Sequence, residues 1–121
     1  MNPIHSKRLW AAVAALAAGA LISCAGAQIP ATQITDPGEM LFNGHTVAAV
    51  DCFKCHGGDA TGTLRGPNLT EKVTELTDPQ IAKIIDEGDG RMPSFHGRLD
   101  ATQVAQITGW LRSRAAAIAK K

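Results

Sequence analysis

Two cysteines and a histidine lie within five consecutive residues, Cys52-Phe53-Lys54-Cys55-His56. The C-x-x-C-H spacing is the attachment signature of c-type haem. Two thiols three residues apart can each form a thioether with one of the two vinyl groups on a haem edge, and the imidazole of His56 can then bind the iron. The motif predicts one covalent haem c, held by Cys52 and Cys55, with His56 as the proximal iron ligand and single-electron transfer as the chemistry.

The same residues could instead bind zinc or act as a redox dithiol. A structural zinc site needs four ligands, but Cys24 lies in an apolar N-terminal run, and His45 and His96 match no zinc spacing. A thioredoxin-like C-x-x-C belongs in a βαβ unit, and no strand-rich run is evident in this chain. Haem attachment is therefore the leading interpretation of the motif, with the two alternatives still open.

Residues 1–23 are typical of an export signal, because two basic residues precede an apolar, alanine-rich run over residues 9–22. The sequence Leu-Ile-Ser-Cys that ends at Cys24 resembles a bacterial lipobox. In that case Cys24 is lipidated and becomes the first mature residue. We therefore expect a lipoprotein-type signal peptide over 1–23, followed over 24–35 by the lipidated cysteine and a flexible tether.

Two other outcomes for the N-terminal segment stay open. Ala25-Gly26-Ala27 is an A-x-A site for ordinary signal peptidase, which would release a soluble periplasmic protein. Residues 9–27 are also just long enough to remain as an uncleaved membrane anchor. All three outcomes export the rest of the chain, and we expect it on the periplasmic side of a bacterial membrane, lipid-anchored.

The remaining sequence predicts helices joined by long loops. Capping patterns that mark helix starts occur at residues 36–39, 77–80 and 100–103. Apolar residues follow the last two at spacings of three and four, and the glycine-rich residues 57–67 predict an irregular loop. No segment alternates convincingly, so we expect an all-α fold. The formal net charge of +1 gives no support for nucleic-acid binding.

Iron bound by one imidazole still needs a sixth ligand, and Met92 is the candidate. A thioether is a soft, neutral ligand that raises the reduction potential of haem iron. Met1 is the initiator and Met40 lies in the first predicted helix, which leaves Met92, beside Pro93, as the only methionine in a loop. Filling core space is the alternative role for Met92 and the usual one for a methionine.

Over about residues 36 to 115 the chain resembles the class I c-type cytochromes, the small monohaem family. The resemblance rests on an ordered set of motifs: Cys52-Phe-Lys-Cys55-His56, Gly66-Pro67-Asn68-Leu69, Arg91-Met92-Pro93, and Trp110-Leu111 in the closing helix. It implies a small cytochrome c fold over residues 36–121, with three or more helices and long loops wrapped around one haem.

The resemblance also implies roles for particular residues. His56 would be the proximal ligand and Met92 the distal one. The Pro67 carbonyl would accept the proton on the other nitrogen of His56, which fixes the ring and its tautomer. The first and last helices would pack through Gly38, Phe42, Trp110 and Leu111. Phe42 lies farther before Cys52 than in mitochondrial cytochrome c, so the connection must bulge or extend the helix.

Two protein ligands leave iron no open position, and catalysis at a metal requires one. We therefore expect a non-enzymatic carrier that passes single electrons between membrane or periplasmic redox partners and takes no small-molecule substrate. Two alternatives remain: a peroxidase-like enzyme or a gas or redox sensor with a displaceable Met92, and a haem subunit of a larger oxidase or dehydrogenase complex. Arg65 and Arg91 could pair with haem propionates or lie solvated, and His96 could compete as a ligand or be an exposed loop histidine.

Overall fold

All regular elements in the computed structural model, which describes residues 25–121, are helical. The all-α expectation is confirmed. The predicted signal peptide and Cys24 lie outside the described residues. Within residues 25–121 no helix is long and apolar enough to cross a membrane. The elements are a short 3₁₀ turn (Ala31–Gln33) and the helices α1 (Pro37–Phe42), α2 (Phe53–His56), α3 (Leu69–Glu75), α4 (Asp78–Glu87) and α5 (Ala101–Ala119).

Three of the helices begin at their predicted caps. The Asp36 side chain accepts two backbone N–H bonds from the first turn of α1. Thr77 forms a capping box with Gln80 at the start of α4, and Asp100 forms one with Gln103 at the start of α5. Each cap satisfies backbone donors that a helix start leaves without partners.

Helix α1 approaches α5 closely at Gly38. A Cβ atom at this position would lie 2.1 Å from the backbone oxygen of Gln106 and 2.9 Å from Cβ of Trp110. The Phe42 ring packs on the Trp110 ring at a centroid distance of 4.8 Å, which confirms the predicted contact between the first and last helices. Helix α1 ends at Phe42, and Gly44 (φ +74°) turns the chain, so the longer connection forms turns rather than more helix.

Helix α3 was not predicted, and contacts with α5 explain why it forms. Its seven residues carry only two large apolar side chains, Leu69 and Val73. The Arg112 guanidinium of α5 donates to the carbonyl oxygens of Val73 (2.6 Å) and Leu76 (2.8 Å) at the end of α3. These bonds satisfy terminal carbonyls that no local residue reaches.

The N-terminal residues 25–34, here called the strap, are bonded to the domain, which differs from the expected flexible tether. The Gly26 N–H donates to the Lys54 carbonyl (2.9 Å), and the Gly58 N–H donates to the Ala27 carbonyl (3.0 Å). Glycine permits this approach, because a Cβ at Gly26 would lie 1.9 Å from the backbone oxygen of Phe53. The strap therefore lies directly against α2.

Asn43, which is 0% exposed, holds the middle of the strap. Its Oδ1 accepts the Ile29 N–H (2.9 Å), and its carbonyl accepts from the Gln28 side chain (2.5 Å). Its Nδ2 donates to the carbonyls of Glu39 (3.2 Å) and Gly58 (3.1 Å). One buried amide therefore joins the strap, α1 and the residues after α2. Local composition at residues 25–35 gave no sign of this, because the partner is 14 residues away.

Candidate haem site

Cys52, Cys55 and His56 share one helical turn. The N–H groups of Cys55 and His56 both point to the Cys52 carbonyl, at 3.2 and 3.0 Å. Residues at i, i+3 and i+4 lie on the same side of a helix. Both cysteines are free and partly exposed. The turn therefore presents two thiols and an imidazole together, as attachment of one haem edge with its iron requires.

The Cys52 thiol argues against the dithiol alternative, and the arrangement of possible ligands argues against zinc. Burial raises the pKa of Cys52 to about 12; a backbone hydrogen bond opposes this rise, and the charges of Asp51 and Cys55 add to it. Thiol exchange needs the thiolate, and the raised pKa disfavours that form. Across residues 25–121, moreover, no group of three or more His, Cys, Asp or Glu side chains could hold a metal ion.

His56 is 6% exposed, and its ring is held in one tautomer. Its Nδ1 lies 3.0 Å from the Pro67 carbonyl oxygen. A carbonyl can only accept, so Nδ1 carries the proton and Nε2 keeps its lone pair. Burial lowers the pKa of His56, while the bond to Pro67 works in the opposite direction. The result is a neutral imidazole with a free Nε2, the form in which histidine binds iron.

The proximal loop, residues 57–68, folds tightly against His56. A Cβ atom at Gly66 would lie 2.9 Å from both the Cys55 carbonyl oxygen and Nδ1 of His56. The Thr63 hydroxyl donates to the Cys55 carbonyl (2.5 Å), and the Gly62 N–H donates to the His56 carbonyl (2.8 Å). Sequence reasoning missed Thr63, because a threonine in a glycine-rich loop carries no distinguishing pattern.

Met92 lies in the distal loop, residues 88–99, with its backbone held in a tight turn. Its N–H donates to the Asp89 carbonyl (2.9 Å), and its own carbonyl accepts from the Asp89 N–H (3.2 Å). Gly90, with φ +57°, lies at the tip of the turn. The partly buried Met92 side chain packs against the same hydrophobic core as Cys52. The core position that Met92 occupies is compatible with either role, iron ligand or packing residue.

The other polar candidates are exposed. The His96 side chain is 80% exposed, and its Nδ1 lies 2.9 and 3.0 Å from the two carboxylate oxygens of Asp86. This contact points one nitrogen of the ring at α4. Arg65 and Arg91 are exposed on the proximal and distal loops respectively. The structure therefore brings Cys52, Cys55, His56 and Pro67 into one unit.

Comparison with known proteins agrees with the motif and the fold. The family model described as cytochrome C oxidase, cbb3-type, subunit III, matches residues 38–111. A cbb3-type cytochrome c oxidase subunit FixP from Bradyrhizobium sp. (strain ORS 278) is 32% identical over 75 residues, 58% of this chain and 26% of the FixP chain. Cytochrome c6 from Thermosynechococcus vestitus (strain NIES-2133 / IAM M-273 / BP-1) is 25% identical over 114 residues, 91% of this chain and 95% of its own.

Among solved structures, the dihydro-heme d1 dehydrogenase NirN in complex with DHE is similar with a TM-score of 0.53 and 31% identity, over 62% of this chain and 15% of that one. The chain thus spans about a quarter of FixP and a smaller part of NirN, but nearly the whole length of cytochrome c6.

A helix that carries C-x-x-C-H, within an all-α domain that matches these relatives, defines a class I c-type cytochrome. The protein binds one haem c covalently, and the Cys52 and Cys55 pair fits the attachment motif. Because the family model covers more than half of the sequence, the chain belongs to the family described as cytochrome C oxidase, cbb3-type, subunit III. It is a monohaem electron-transfer protein.

Proposed function

We propose that this protein is an electron carrier and not an enzyme, with its iron bound by His56 on one side and by Met92 on the other. The observation that carries the proposal is the His56–Pro67 contact of 3.0 Å, which leaves Nε2 of a buried, neutral imidazole available for iron. Haem supplies the one-electron chemistry, and the protein supplies ligands, orientation and burial.

The roles of the surrounding residues follow from their positions. Cys52 and Cys55 would hold the haem, and Pro67 would fix the His56 ring, because an outer hydrogen bond to a ligating histidine sets its orientation and basicity. The core beside Met92 would exclude water. Low polarity around the iron and a thioether ligand both favour the reduced state and raise the potential.

An enzymatic role would need an open iron position and a nearby acid or base. His96, the histidine nearest to Met92 in sequence, is strongly exposed and contacts Asp86. The similarity to cytochrome c6 over nearly the full length of both chains also supports a carrier that works as a small separate protein.

Exchanging each of two methionines tests the carrier proposal. Met92→Ala should lower the reduction potential and allow the reduced iron to bind carbon monoxide. Met40→Ala is the matched control, because Met40 is partly buried in α1, and this variant should leave both properties unchanged. Potentiometric titration and carbon monoxide binding give the two readouts. Rapid carbon monoxide binding and peroxide turnover by the unaltered protein would instead support an enzyme or sensor.

A second candidate function is that of a haem subunit in a larger oxidase. The similarity to FixP and the family match are the observations that favour it. The chemistry at the iron would be the same, but the partner would be permanent. Haem staining of detergent-solubilised membranes after native electrophoresis distinguishes the two. A free carrier should migrate at its own size, whereas a subunit should migrate with the complex.

The proposed location is the periplasmic side of a bacterial membrane, with Cys24 lipidated. The signal-like residues 1–23 support export, and the lipobox-like sequence supports lipidation. The mass of the mature chain provides the test. A lipid-modified chain that starts at Cys24 agrees with the proposal, a start at Gln28 would indicate a soluble periplasmic form, and retention of residues 1–23 would indicate an uncleaved anchor.

A further inference from the structure

The strap determines where the chain leaves the domain. The Gly26 N–H is bonded to the Lys54 carbonyl of α2. Ala25 is the first described residue, and Cys24 precedes the bonded Gly26 by two positions in the sequence. An anchor on Cys24 would therefore join the chain two residues before its bond to the helix that carries the haem-attachment motif.

A cavity of about 590 Å³ opens at the same place. It is lined mainly by apolar atoms from strap residues 25–29 and from proximal-loop residues between 57 and 64. Its volume is in the range of ordinary ligand pockets, about 300–1,000 Å³. Ala25, the first residue after Cys24, forms part of the lining. The chain segment that would carry the lipid therefore ends at the edge of an apolar groove.

The rim of the groove is suited to a lipid surface. Leu64 is 85% exposed and is the most exposed large hydrophobic residue in the described part of the chain. Arg65 is exposed beside it, and a cation there suits anionic headgroups.

Asp59 also lines the groove. Burial would raise the pKa of Asp59, but hydrogen bonds from Thr61 and the charge of Arg114 outweigh this and lower it. The Asp59 carboxylate is therefore charged. Its Oδ1 accepts a hydrogen bond from the Thr61 hydroxyl (2.8 Å).

We propose that the face formed by residues 25–29, Leu64 and Arg65 rests on the lipid surface to which Cys24 is anchored. The inference depends on the proposed lipidation of Cys24. It changes the expected behaviour of the domain, because a strap bonded to α2 and Asn43 holds one orientation on the membrane, whereas a free tether would let the domain turn.

Spin labels at two exposed positions test the orientation. Leu64→Cys places a label on the proposed contact, and Lys83→Cys places the control at an exposed side chain of α4, a helix that contributes no residue to the lining of the groove. Each labelled, lipidated holoprotein is reconstituted in vesicles of phosphatidylethanolamine and phosphatidylglycerol, with the iron reduced. The label at 64 should be relaxed several-fold more by oxygen than by a water-soluble nickel complex. The label at 83 should show the opposite preference.

Each other outcome has a defined meaning. If the protein stays on the vesicles and both labels prefer the nickel complex, the orientation is wrong and the anchor stands. If neither reagent reaches the label at 64, protein covers the face, for example a second copy, and the inference also fails. Protein that remains in solution with a mature chain starting at Gln28 would overturn the lipidation together with the inference that rests on it.

A third variant tests whether the strap fixes the orientation. Asn43→Ala removes the side-chain amide that bonds to Ile29 and Gly58, and it leaves the backbone carbonyl that accepts from Gln28. In the Leu64→Cys background it should leave the protein on the vesicles, with unchanged haem absorbance, and shift the label at 64 towards the nickel complex. A label that stays in lipid would show that the bonds of the Asn43 side chain do not fix the orientation and would overturn that part of the inference.

Discussion

The proximal and distal loops hold their proposed iron ligands in different ways. On the proximal side the His56 N–H donates to the Cys52 carbonyl, the His56 carbonyl accepts from Gly62, and the ring is bonded to the Pro67 carbonyl. On the distal side the Met92 backbone is bonded to Asp89. The Met92 side chain packs against the hydrophobic core, and it has three rotatable bonds and a polarisable thioether.

This difference predicts separate roles for the proximal and distal loops in holding the haem. A ring held by a backbone carbonyl cannot leave iron without breaking that bond or moving the loop. A thioether can rotate away while the backbone turn stays intact. We therefore expect ligand exchange to begin at Met92 and haem retention to depend on the His56 side. The four predictions below test this division, beginning with the largest expected effect.

Removal of His56 should have the largest effect. His56→Ala deletes the proposed proximal ligand and leaves the Pro67 carbonyl without its donor, so most of the haem-bound protein should be lost. Met92→Ala should retain its haem, because both thioethers and the proximal ligand remain. The ratio of haem to protein after denaturation and acid extraction gives the measurement. Equal haem content in the two variants would contradict the division between the sides.

Two buried phenylalanines allow a matched comparison of stability. Phe42 is 1% exposed, packs on Trp110, and has its ring centroid 6.5 Å from that of His56. Phe95 is also buried, but it belongs to the distal loop, where its N–H bonds to Ile85. Phe42→Ala should lower the free energy of unfolding by about 3–5 kcal/mol. Phe95→Ala should cost less and should alter the spectroscopic signature of Met92 ligation. Denaturant unfolding and absorbance give the two readouts.

The opposite result for the two phenylalanine variants would contradict the proposed difference between the proximal and distal loops. If Phe42→Ala altered Met92 ligation and Phe95→Ala left it unchanged, the distal loop would not be the element that positions Met92.

Glycine substitutions test the same difference between the two loops, with smaller expected losses in the free energy of unfolding. At Gly66 a Cβ would crowd Cys55 and His56 at 2.9 Å, so Gly66→Ala should cost about 1–3 kcal/mol and perturb the proximal ligand. At Gly90 no atom lies within 4 Å, and the left-handed backbone (φ +57°) sets the cost at about 1 kcal/mol. Thermal unfolding measures both costs. A larger loss at Gly90 would show that the distal turn is the less tolerant of the two loops.

The sequence predicted correctly those features whose residues lie close together along the chain. The C-x-x-C-H motif is complete within five residues, and the caps at Thr77 and Asp100 are complete within four, so sequence patterns identified them correctly. The Phe42–Trp110 contact is long-range, yet the family resemblance indicated it, and the structure confirms it.

Two of the missed features, helix α3 and the bonded strap, depend in part on distant polar side chains. The carbonyl groups at the end of helix α3 accept hydrogen bonds from Arg112, which lies nearly forty residues away in the sequence. The strap is held by Asn43, and nothing in the small, polar sequence at residues 25–35 indicates a partner. Such bonds form only when the chain has folded. The donors and acceptors share no pattern along the sequence, and sequence patterns therefore cannot predict them.

The smallest effect is expected for His96, whose contact with Asp86 is exposed on both sides. Exposed ion pairs contribute about 0–1 kcal/mol, so His96→Ala should change stability by no more than that and should leave the Met92 spectrum unchanged.

The Met92→Ala background provides a stricter test of His96, since there the iron position that we propose for Met92 would be open. If His96 stays on Asp86, the double variant Met92→Ala/His96→Ala should match Met92→Ala in its spectrum and in its rate of carbon monoxide binding. Faster binding in the double variant would show that His96 had left Asp86 to occupy the iron. The distal loop would then supply two competing ligands, whereas the proximal side supplies His56 alone, with its ring bonded to Pro67.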